Sequence, residues 1–189
     1  MHKKINATEV LDRRRTGILL HPTSLPGPIG NGDFGPDAYH FVDFLCSCGA
    51  SVWQMLPLVP THDDGSPYMG VSVLAGNTKL ISLELLKTWE WLRDEDLDVK
   101  PADGKHTKKN AIKKVFENFS IRSSQIEKTK REKFLEDNRD WLLDYALFQV
   151  MREQQRLQSW VDWPASFRDR NQTALADFRQ RNAEQIDFV

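Results

Sequence analysis

The chain has 189 residues, 40% of them apolar and 28% charged, enough for one globular domain with a hydrophobic core and unlike a disordered tail. Lys and Arg number 26 against 27 Asp and Glu, a net charge of −1, so no overall field attracts nucleic acid or an anionic membrane, and neither is an expected partner. No apolar run reaches the about 18 residues of a membrane span, and none of signal-peptide length opens the chain, so a cytoplasmic protein is expected.

In chain order, Met1 to Arg15 is a polar lead-in. Gly17 to His21 is a short apolar run that fits a strand buried on both faces. Ser24 to Phe34, rich in Gly and Pro, reads as a loop. Pro36 suits the first position of a helix and Asp37 its first turn. Ala38, Phe41, Val42 and Leu45 then follow at i, i+3, i+4 and i+7, and Gly49 ends the helix. Cys46 and Cys48 lie two apart in this segment, point in different directions and cannot close a normal bridge, so both read as buried thiols. No Cys-x-x-Cys or His-x-x-x-His pattern occurs, and no metal site is expected. Ser51 to Leu58 is the next strand, completing a βαβ unit with parallel strands and a right-handed crossover.

After Leu86 the pattern turns helical. Ile112, Val115, Phe116 and Phe119 form one stripe, Trp141, Tyr145 and Phe148 another, and both read as packing faces. Asp98 to Lys109, charged and carrying Pro101 and Gly104, reads as a surface loop between helices. The basic clusters Lys108-Lys109, Lys113-Lys114 and Lys128 to Lys133 are interleaved with Glu117, Glu127, Glu132 and Glu136, the pattern of a solvated helix face. A last helix is expected near Asn171, a good cap, carrying Leu175, Phe178 and Ile186.

Functional contacts belong to the loops after the two strands, Pro22 to Phe34 and Val59 to Asn77. In the second loop Asp64-Gly65-Ser66-Pro67 is also ordinary turn chemistry, and the residues alone leave both readings open. Asp33, Asp63, Asp64 and Glu84 read as caps, turn residues or surface charges, and their spacing shows no catalytic pair.

Two strand-and-loop units carry a resemblance: Arg15-Thr16-Gly17-Ile18-Leu19-Leu20-His21-Pro22-Thr23-Ser24-Leu25-Pro26-Gly27-Pro28, and Trp53-Gln54-Met55-Leu56-Pro57-Leu58 with Gly65-Ser66-Pro67-Tyr68. They resemble the opening of the amylomaltases, the 4-alpha-glucanotransferases of glycoside hydrolase family 77. Pro60-Thr61 and Ala75-Gly76-Asn77 match the same family loop, with Met69 in place of its glutamine and Thr78-Lys79 in place of its proline step. Leu80 to Leu86, Asp144 to Phe148, Trp163-Pro164, Arg168-Asp169-Arg170 and Glu184 to Phe188 look like the family's continuation, so the resemblance runs from Arg15 nearly to the end.

The resemblance implies an α/β fold. Residues 16–86 would open a (β/α)8 TIM barrel with its first βαβ unit, 1–15 would lead in, and 87–189 would be a mainly helical insertion. The barrel would be incomplete in this chain. The implied reaction transfers a segment of a 1,4-alpha-D-glucan to a 4-hydroxyl of an acceptor by a retaining double displacement, without a cofactor. Maltooligosaccharides and other alpha-1,4-glucans are the implied partners, with the C-terminal part of the barrel. Tyr68 would stack on the donor sugar and Ser66 would line the same pocket; the loop's own residues also offer Asp63, Asp64 and Asn77, beside Ser66, as short polar groups for sugar hydroxyls. The family's nucleophile and acid/base are expected beyond Val189, which makes the chain a fragment with no activity of its own. A non-catalytic glucan-binding or interaction fragment, and an alpha-amylase-type glycosidase, stay open as alternatives.

Overall fold

The computed structural model describes residues 14–27, 31–62, 64–97 and 108–189. Most of the lead-in, Pro28, Asp63 and all but the last two residues of the expected 98–109 loop lie outside them. The chain divides into two compact units, Met1–Lys114 and Val115–Val189.

In the first unit, β1 (Gly17–Leu19) pairs in parallel with β2 (Val52–Gln54), Ile18 opposite Trp53. Both strands are shorter than expected. After Leu20 N–H donates to Gln54 O, Pro22 has no N–H to continue the ladder, and the chain turns into a 3-10 segment, Pro22–Ser24. Beyond Gln54, Pro57 and Pro60 likewise cannot donate.

The expected burial of β1 on both faces is corrected. Ile18 is 37% and Leu19 54% exposed, because among the described residues β1 has a single neighbouring strand. Trp53 joins the two strand ends by donating from Nε1 to Leu20 O at 2.7 Å.

Helix α1 (Pro36–Ser47) begins at the expected proline and ends before Gly49, whose φ of +74° is the left-handed geometry that glycine adopts freely. Its buried stripe is narrower than the sequence implies. Ala38 and Leu45 are buried and Phe41 half-buried against Trp53, 5.0 Å between ring centres, whereas Val42 is 42% exposed. The narrow stripe also corrects the reading of the thiols. Cys46 lies about 100° round the helix from Leu45 and Cys48 caps its end, so both are exposed.

A 3-10 segment (Thr78–Leu80) leads into α2 (Leu83–Thr88), which Ser82 caps by accepting from Leu85 N. Leu83 and Leu86 are buried, as is Leu92 between α2 and α3 (Asp94–Leu97). The division between the units falls inside α4 (Lys108–Arg122).

The second unit holds α5 (Gln125–Asp137), α6 (Leu142–Gln154), α7 (Ala165–Arg168), α8 (Gln172–Arg181) and α9 (Ala183–Phe188). Leu147, Val150, Met151, Trp163, Leu175 and Phe178 form its core, with Phe167 edge-on to Phe178 at 5.4 Å. Ser124 opens α5 with a capping box that includes Glu127. Asn171 caps α8 as expected, accepting from Ala174 N at 3.0 Å. The expected single last helix is two, because Asn182 leaves helical geometry and its amide donates back to Phe178 O, so Ile186 belongs to α9. Arg170 grips both carboxylate oxygens of Asp144 at 2.9 Å, tying the start of α8 to α6.

No helix among the described residues is long and apolar enough to cross a membrane. None of their His, Cys, Asp and Glu side chains form a group of three that could hold a metal ion.

Candidate active-face loops

Because β1 and β2 are parallel, the loops that follow them leave the sheet at the same end. After β1, His21 is buried, and its Nδ1 accepts from Thr23 N while lying 2.7 Å from Thr23 Oγ1. Its Nε2 is buried without a hydrogen-bond partner among the described residues, and so is Thr61 Oγ1 at the base of the second loop.

The second loop is a pinched excursion. Thr61 and Gly70 form an antiparallel bridge, and Val71 N donates to Pro60 O at 2.7 Å. A side chain at position 70 would place its Cβ 2.5 Å from Val59 Cγ2, so the close crossing of the two arms requires glycine. At the tip, Gly65 has a φ of +72°, Asp64 Oδ1 accepts from Ser66 N at 3.1 Å, and Met69 N donates to Ser66 O. The Asp64-to-Pro67 segment is thus a true turn, and Tyr68, which follows it, is 76% exposed.

Asn77 closes the loop. Its N–H donates to Leu58 O, four residues beyond the end of β2, and its Oδ1 accepts from Lys79 N to cap the Thr78–Leu80 turn. Ser66 Oγ makes no hydrogen bond within the described residues, while one oxygen of Asp64 and the side-chain oxygen of Asn77 are engaged in shaping the backbone. Below Asn77 lies an apolar groove of about 440 Å³, lined by Phe34, Leu58, Ile81, Leu85 and Trp89 among others. Among the described residues no carboxylate lines it.

Sequence reasoning placed Asp33 among caps, turns and surface charges, and the structure corrects this. Asp33 is 5% exposed and its carboxylate meets Lys108 Nζ at 2.5 Å. Nothing in the sequence marks Lys108 apart from its lysine-rich neighbours. Glu84, by contrast, is an exposed residue of the first turn of α2.

The sequence pattern of the family described as 4-alpha-glucanotransferase matches residues 20–189, nearly the whole chain. The chain belongs to the 4-alpha-glucanotransferase family. It is 39% identical over 192 residues to the chloroplastic/amyloplastic 4-alpha-glucanotransferase of Solanum tuberosum, covering 94% of this chain and 33% of the relative. It is also 39% identical over 170 residues to the 4-alpha-glucanotransferase of Aquifex aeolicus, covering 86% and 34%. The solved amylomaltase of Streptococcus agalactiae in complex with acarbose superposes with a TM-score of 0.81 at 32% identity, over 93% of this chain and 37% of that one. The chain therefore spans about a third of the length of the family members it matches.

Proposed function

We propose that this chain supplies the opening of a 4-alpha-glucanotransferase and that the whole protein moves alpha-1,4-glucan segments to an acceptor 4-hydroxyl with retention of configuration. The observation that carries this reading is the exposed Tyr68 on a braced turn, at the sheet end shared with the loop after β1, in a chain of this family. An exposed flat ring offers a platform for the C–H face of a sugar. Ser66 Oγ, the second oxygen of Asp64 and the amide nitrogen of Asn77 are polar atoms near the loop that suit sugar hydroxyls.

Residues 16–86 then open a TIM barrel and 87–189 form a mainly helical insertion. Further strands of that barrel are the proposed cover for Ile18 and Leu19, and the source of partners for His21 Nε2 and Thr61 Oγ1, since buried polar atoms ordinarily have one. In the double displacement one carboxylate attacks the anomeric carbon while a second protonates the leaving oxygen and later activates the acceptor. Neither role falls to Asp33, which is buried against Lys108. The proposed compartment is the cytoplasm.

The test is product analysis with maltotriose, using the full-length protein that contains this sequence. Glucane disproportionation, seen as glucose together with longer maltooligosaccharides, is expected. Accumulation of short sugars alone would mean hydrolysis and would replace this reading with the glycosidase one.

A further inference from the structure

Lys108 begins α4, a helix with no acidic residue in its first turn, so a cation there works against the helix dipole. Its ammonium is aimed elsewhere. Nζ lies 2.5 Å from Asp33 Oδ2 and donates to Lys79 O at 2.9 Å, and both partners of the ion pair are largely buried, at 14% and 5% side-chain exposure. Asp33 belongs to the loop after β1, and Lys79 to the turn that Asn77 caps at the close of the loop after β2. One side chain thus joins the loop after β1 to the turn that closes the loop after β2, 75 and 29 residues away in sequence.

The same seam is stitched by Phe34 N donating to Leu80 O at 3.1 Å. It is also packed too tightly for any side chain at position 35, where a Cβ would sit 2.6 Å from Ser82 Oγ and 2.7 Å from Asp33 Oδ1. A buried carboxylate is retained in such a place only when a charge and hydrogen bonds satisfy it, and a second contact from that charge to a backbone carbonyl fixes the direction of the pair.

We propose that Lys108 is a positioning residue: through Asp33 and the Lys79 carbonyl it locks the two loops into the relation that presents Tyr68 and Ser66 to a glucan. The inference rests on the sugar-facing reading of these loops. Removing Lys108 alone would strand a buried Asp33, so the informative variant is Asp33→Asn with Lys108→Met, which deletes both charges together. In the full-length protein this pair of substitutions is expected to leave a cooperative melt and to raise the donor KM about tenfold, the scale on which a loop displaced by less than an ångström acts. Amide exchange at Phe34 and across 77–82 is expected to quicken, and Lys108→Arg to keep both readouts near the parent. An unchanged donor KM in the double variant would overturn the proposal. If the parent protein transfers no glucan, the functional reading fails by itself, and unchanged exchange at Phe34 and 77–82 would then overturn the lock as well.

Discussion

At the residue scale the proposed sugar contact is Tyr68. Tyr68 is exposed beside the turn that Asp64 braces rather than packed inward, so its removal should disturb the fold little and the proposed ligand contact greatly. In the full-length protein Tyr68→Ala is expected to lower kcat/KM for maltooligosaccharide transfer by the equivalent of about 1–3 kcal/mol. Tyr68→Phe should retain most of it, since the hydroxyl adds at most a hydrogen bond of about 1 kcal/mol net. Initial rates on protein with an unchanged melting curve check both. Equal rates for the alanine variant and the parent would return the loop to a purely structural turn.

Among the elements, α6 and α8 carry the second unit. Phe178 is 3% exposed and faces Phe167 within the cluster that includes Trp163. Phe178→Ala should therefore cost about 3–5 kcal/mol, measured by urea denaturation. On α6, burial pushes the Tyr145 hydroxyl above its ordinary 10.0, against smaller downward pulls from its hydrogen bond to Gln149 and the charge of Arg152. A raised folded-state value means that the native state holds the proton longer than the unfolded chain. Tyr145 thus contributes stability that is complete below the unfolded value near 10 and lost as pH rises through the folded one. Melts taken between pH 8 and 11 should show this fall, and Tyr145→Phe should flatten it; an identical fall in the variant would place its origin elsewhere.

For the molecule as a whole, large apolar side chains stand exposed in both units, Val73 at 90% and Ile121 at 81% among them. On β1 and α1 they include Ile18, Leu19, Val42 and Phe44, and among the described residues the two-stranded sheet has no further strand on either edge. The purified 189-residue polypeptide is accordingly expected to self-associate, visible in light scattering during size-exclusion chromatography. It should also show no disproportionation of maltotriose, since Asp33 is engaged by Lys108, Asp64 by its turn, and Glu84 sits on an exposed helix start. A monodisperse monomer with a sharp melt would contradict the first expectation, and transfer by material free of host enzyme the second.

Local chemistry was legible in the residues themselves. Pro36 and Gly49 bound α1 and Asn171 starts α8, because caps and terminators act within a few residues of where they stand. The strand–helix–strand order and its parallel pairing also followed from short-range pattern, and the specific motifs carried the family. Tertiary structure alone decided what lies far apart in sequence or depends on who covers a face. It joined Asp33 to Lys108 and left Cys46, Cys48, Ile18 and Leu19 in solvent. Periodicity says which side of an element is apolar; only the neighbouring elements determine how much of that side is removed from water, and which buried charge finds its partner.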